Sequence, residues 1–211
     1  MNQLTQEITH EKPVSLVRSM AEHYQYDAFD FARRFDLLWE SMPNKTGRIK
    51  SFVDLVFAFE CILKCHIALG RTDEDPKMVL KDLIKARHDI GKLVEIAKIS
   101  RDQNVYDELA YRLNGFSVFL RYSLDAYSSF FPFYTARRKS KLNYSQTVGN
   151  NEWVLETRAL LSPLLQTAKE ALSGLVTDDI VVILRNARLM SELMDGQKKE
   201  SKLPSSDSSH D

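Results

Sequence analysis

Turn-forming residues are scarce in this chain: seven Gly and six Pro among 211 residues are too few for the many tight turns of an all-β fold. Cysteine is scarcer still. Cys61 and Cys65 stand four apart inside an apolar helical pattern, so they share a helix face as reduced, buried thiols and do not found a disulfide framework. An excess of either charge is missing too: Lys+Arg number 29 and Asp+Glu 29. That balance excludes a protein that coats nucleic acid or an anionic membrane over its whole surface, and it leaves room for a local basic patch. No apolar run reaches the roughly eighteen residues that span a bilayer, and the opening MNQLTQEITHEK is too polar for a secretory signal. A cytoplasmic protein without membrane contact is expected. Glycine-rich phosphate loops, Gly-x-Ser-x-Gly elbows and His-Glu-x-x-His motifs are all absent.

Helical periodicity is what the chain does have. Residues 1–15 read as a flexible leader, 16–195 as a single helical domain, and the polar stretch 196–211 as a disordered tail. A first helix over about 16–41 carries Met20, Tyr24, Ala28, Phe31, Phe35, Leu38 and Trp39 at steps of three and four. It stops at Met42-Pro43, because a residue before proline is forced out of helical geometry. The second helix, about 46–69, is apolar on nearly every side from Phe52 onward, the pattern of a central helix. Asp75-Pro76 opens a segment to 99 that divides near Arg87-His88. Further helices are expected over 105–130, over 152–172 with a kink at Pro163, and from Asp178-Asp179 to about Met194 with Gly196 as the stop. The run from Ile180 to Leu184 is β-prone alone, but Met190, Leu193 and Met194 extend it as a helical stripe. The fold class that follows is all-α, an up-and-down bundle of five to six helices.

Between Phe131 and Asn151 the helical pattern lapses. This stretch holds Arg137, Arg138, Lys139 and Lys141, and no acidic residue lies between Asp125 and Glu152. Four cations without a counter-charge suit a phosphate-bearing ligand or a solvated loop. Phe130, Phe131, Phe133 and Tyr134 beside them offer stacking surfaces or a hydrophobic contact for a protein partner. Cys61, Cys65 and His66 are three metal-ligating types on adjacent turns, yet a tetrahedral zinc site wants four ligands in paired spacings. They read as core residues, and neither metal nor cofactor is expected. Glu60 and Lys64, four apart, read as an orienting ion pair.

The run from Phe57 to Lys64, with Ala58, Glu60, Leu63 and Lys64 in place, resembles the A-x-E-x-x-L-K core helix of HEPN domains (higher eukaryote and prokaryote nucleotide-binding). His88-Asp89-Ile90-Gly91-Lys92-Leu93 is similar to that family's H-D-L-x-x-L turn, and Arg121-Tyr122 to the R-Y that closes its third core helix. With 152–172 as the fourth helix, the resemblance spans about residues 20–172 in order. It implies a four- or five-helix bundle forming a homodimer, in a defence or toxin–antitoxin setting. Such a domain is either an RNA-cutting enzyme or an inactive module that binds nucleotide, RNA or a protein partner. The cutting branch pairs an Arg with a His separated from it by four to six residues, a cation for phosphate charge and an imidazole for proton transfer. No His follows Arg121 before His210, and the one spaced match, Arg18 to His23, precedes the first core helix. The resemblance therefore implies a catalytically degenerate module, with a metal-independent dimeric endoribonuclease using Arg18 and His23 as the alternative. Its ligand-binding candidates are Arg87, His88, Arg121, Arg137, Arg138, Lys139 and Lys141. For His88 the competing reading is a helix-start residue whose ring bonds nearby backbone. For Arg121 it is packing against an acidic partner.

Overall fold

The computed structural model describes residues 15–97, 103–131, 142–173 and 179–200, and among them every regular element is helical. Helix α1 (Leu16–Ser41) begins where the Ser15 hydroxyl accepts the N–H of Arg18, and it ends ahead of Pro43. The chain then turns back into α2 (Lys45–Leu69), capped by the Asn44 side chain accepting from Gly47 N–H. Gly47 is dictated by space, since a Cβ there would stand 2.6 Å from Met42 Cβ and 2.9 Å from its carbonyl oxygen. The two helices are antiparallel: Tyr24 meets Lys64, Phe31 meets Phe57 and Arg34 meets Asp54, so partner numbers fall as those of α1 rise.

Of the 25 residues in α2, 18 are buried, which makes it the axis of the bundle, as its all-round apolar pattern predicts. Helix α3 (Pro76–Ala86) starts at the Asp75 cap, and α4 (Ile90–Ala97) follows it after a break at the expected place. Arg87 in that break has φ +50° and ψ −124°, a backbone conformation that ordinarily favours glycine.

The continuous helix expected over 105–130 is broken. Helix α5 (Gln103–Leu113) ends before Gly115, whose φ of +84° suits glycine, a 3-10 turn follows over Val118–Arg121, and α6 (Ser123–Phe130) resumes. Phe116 and Leu120 remain buried across the break, so the three-and-four spacing of apolar residues survives while the helix does not. The kink expected at Pro163 lies earlier, at Leu160, between α7 (Asn151–Ala159) and α8 (Leu161–Leu172). Proline's ring clashes with the carbonyl four residues back, which is that of Ala159, and Pro163 itself sits comfortably in the first turn of α8. Helix α9 (Ile180–Glu200) runs through Gly196, where a stop was expected. An interior glycine costs a helix about 1 kcal/mol and does not by itself end one. Of the tail placed at 196–211, residues 196–200 are therefore helical and the remainder lies outside the described residues, as does the leader up to 14.

Phe35, Phe52, Phe59, Tyr106, Leu93 and Leu109 are fully buried, each contributing roughly 1.5–3 kcal/mol by leaving water. Polar ties fix the outer helices: Arg112 on α5 reaches Glu156 on α7 at 2.9 Å, and Arg158 on α7 grips both carboxylate oxygens of Asp36 on α1 at 3.0 and 2.9 Å. None of the described helices is long and apolar enough to cross a membrane.

Candidate functional site

The two segments with ordered motifs, 57–64 and 88–93, meet at one side chain. Glu60 is buried near the middle of α2; its Oε1 accepts from Lys64 Nζ at 2.6 Å and its Oε2 from His88 Nδ1 at 2.8 Å. The Glu60–Lys64 pair is the one expected from their spacing. His88 departs from expectation in that its ring bonds a carboxylate 28 positions away, not nearby backbone. Lys64 also lies over the ring of Tyr24, and Phe57 meets the His88 ring edge-on.

His88 gives Nδ1–H to Glu60, and its side chain is half exposed. A carboxylate–histidine pair can move a proton, and only a route through a covalent enzyme intermediate also needs an ionisable nucleophile on the protein. The nearby candidates are held protonated. Burial first, then the negative charge of Cys61, Glu60 and Asp27, pushes Tyr24 up to about 12. Burial with Glu60 and Asp27 likewise takes Cys61 to about 12, and burial with Glu22 takes Cys65 there. Both cysteines are free and buried, and no group of three metal-ligating side chains occurs among the described residues. His66 is fully engaged: Nε2–H donates to the Leu164 carbonyl at 2.9 Å, and Nδ1 accepts from the Tyr106 hydroxyl at 2.7 Å.

Arg18 is a structural residue in this geometry. It is buried, and its guanidinium donates to the carbonyls of Ala171 at 3.2 Å and Leu172 at 2.7 Å, closing the end of α8. His23 is exposed on another side of α1, about 140° round the helix from Arg18. The two candidates for catalysis do not face one another within the chain.

Arg121 departs from its expected role as well. It is exposed, stacks over the Tyr122 ring at 4.8 Å, and has no acidic partner among the described residues. It lines a recess between α2 and α6 together with Lys45 and Lys50, two cations that the sequence patterns did not single out. Both lysines are exposed, and neither has an ion-pair partner among the described residues. Lys45 rests over the rings of Phe131 and Tyr144 at 5.4 and 5.9 Å. Ile49, Leu120 and Ala126 form the floor, Thr46, Ser123, Tyr127 and Phe131 complete the wall, and no carboxylate lines it. Asp125, the one acid on α6, lies about 160° round that helix from Tyr127 and so points away.

The candidates do not converge. His88 packs at Glu60 and Arg121 at Lys50, ten residues or about 15 Å apart along α2, while Arg87 is exposed in the α3–α4 break. Arg137, Arg138, Lys139 and Lys141 lie outside the described residues, as do Phe133 and Tyr134. Phe130, expected as a stacking surface or a hydrophobic contact for a partner, is core instead, packed against Phe116 and Tyr144. Comparison with family models, curated proteins and solved structures gives no match.

Proposed function

We propose that the chain is a HEPN-like helical module without ribonuclease chemistry, which works as a homodimer by binding a nucleotide or RNA. One observation carries this reading: Lys45, Lys50 and Arg121 gather round a single recess with no carboxylate in its lining. Folding stability gives no reason for that gathering, because unpaired like charges repel, whereas a phosphate-bearing ligand supplies the missing anion. Catalytic silence is supported by Arg18, whose guanidinium is tied to the end of α8. A protein partner is the second reading, favoured by α9, which leaves Val181 69% and Leu184 62% exposed on an apolar outer face.

The test combines cleavage and binding on one preparation. Labelled RNA incubated with the protein is expected to be bound but not shortened, to be released by added salt, and to behave identically with His23→Ala. Light scattering is expected to give twice the chain mass. Cleavage that disappears in the His23→Ala variant would make the protein an enzyme, and a failure to bind RNA or nucleotide at low salt would leave only the protein-partner reading.

A further inference from the structure

We propose that the recess between α2 and α6 is a phosphate site in which Lys45, Lys50 and Arg121 take the phosphate oxygens and Thr46 and Ser123 donate hydroxyl hydrogen bonds. The assignment rests on the reading that the module works by binding, and it names the group bound and the residues that hold it.

The donor inventory argues for phosphate over a carboxylate. Three cations and two hydroxyls line one recess, and neither the Thr46 nor the Ser123 hydroxyl has a hydrogen-bond partner among the described residues. A carboxylate carries one charge on two oxygens. A terminal phosphate carries close to two charges on three oxygens, and charge-assisted hydrogen bonds from lysine and arginine suit it. The floor of Ile49, Leu120 and Ala126 is apolar, which strengthens the attraction between the rim cations and an anion seated above it. The cations are already placed without carboxylates that would have to be displaced. Lys45 is held over Phe131 and Tyr144, and Arg121 over Tyr122, so rings orient both while leaving their charge unneutralised.

The phosphate has two sources, a free nucleotide or the backbone of a strand, and the probes separate them. Adenosine monophosphate, adenosine, inorganic phosphate, a ten-nucleotide oligoadenylate and polyglutamate are titrated into the full chain and its Lys50→Glu/Arg121→Glu double variant. The double variant is expected to lose at least tenfold in affinity for the phosphate-bearing probes, with an unchanged helical spectrum. For the oligonucleotide, the slope of log affinity against log salt is expected to flatten by about 0.7 for each cation removed. Whichever of mononucleotide and strand binds names the source.

Binding that persists unchanged in the double variant overturns this site while leaving the binding function intact elsewhere on the chain. Equal affinity for adenosine and its monophosphate, or equal competition by polyglutamate, overturns the phosphate assignment. If no nucleotide or strand binds the native chain, the site and the function it rests on fall together.

Discussion

The exposed start of α2 and its buried stretch from Asp54 onward treat charge in opposite ways. In the buried stretch both oxygens of Glu60 are answered, by Lys64 and by His88, while His66, nearly two turns on, has both ring nitrogens engaged. At its start Lys45 and Lys50 are exposed and face Arg121, and none of the three meets a carboxylate among the described residues. In the interior an unpaired charge costs several kcal/mol, so folding itself enforces the pairing. On the surface water does the solvating, and nothing in stability gathers three like charges. Paired charge on this helix is accounted for by the fold alone, whereas unpaired charge calls for a partner from outside.

The comparison is broken most directly at Glu60. Glu60→Ala removes the carboxylate that answers Lys64, whose own side chain is only 13% exposed, and it frees the α3–α4 break from α2. Removing one member of a buried pair typically costs about 3–5 kcal/mol. The urea midpoint is expected to drop accordingly, with Glu60→Gln losing less because its single amide oxygen still accepts from one of the two partners. A native midpoint in Glu60→Ala would mean that the inner cluster is not a structural tie, and the contrast with the outer cations would lose its basis.

A somewhat smaller effect is expected from acid. Burial lowers the pKa of His66 from 6.5 to about 4, an effect only partly opposed by its hydrogen bond to the Leu164 carbonyl. Below about pH 6.5 the unfolded chain takes up a proton that the folded chain refuses, so stability falls as pH falls. Linkage puts the loss near 3 kcal/mol across the window from about 6.5 to about 4, with nothing further from this group below it. Urea unfolding at steps between pH 7 and 4 measures the slope, and a ring resonance of His66 that stays fixed down to pH 5 assigns it. A His66 that titrates near its ordinary value in the folded chain would show that this part of α2 is open to water, and the distinction between the exposed start and the buried stretch would blur.

How much of this was legible in the residues follows the same division. Helices α1 and α2 were readable because periodicity and Pro43 act within a few residues of one another. The break at Gly115 was not, because Phe116 and Leu120 keep pointing into the core after the helix has stopped, and the period of apolar residues records burial, not backbone continuity. The Glu60–Lys64 pair was visible as a spacing of four, but its third member arrives from 28 residues away, beyond any local pattern. Lys45 and Lys50 look like ordinary surface lysines until the turn at Val118–Arg121 brings a third cation across to them. The signal that pointed to this neighbourhood was the lack of acids between Asp125 and Glu152, read as a property of the loop. Its nearest described consequence is a recess walled by Phe131, the last described residue before that loop.

The smallest expected effect is the one that sharpens the contrast. Lys50→Glu reverses a surface charge with no ion-pair partner among the described residues, and such substitutions usually leave stability within about 0.5 kcal/mol. Lys45→Glu sets two terms against each other. As the first residue of α2, an acid gains about 0.3–1 kcal/mol from the helix N-terminus, while the loss of the ammonium over Phe131 and Tyr144 removes about 0.5–1 kcal/mol. Both variants should therefore unfold within a few tenths of a molar of the native urea midpoint, in contrast to Glu60→Ala. A drop of more than about 1 kcal/mol in Lys50→Glu would mean that the lysine is tied into the fold through a contact it makes there, and its charge would no longer need an external anion to explain it.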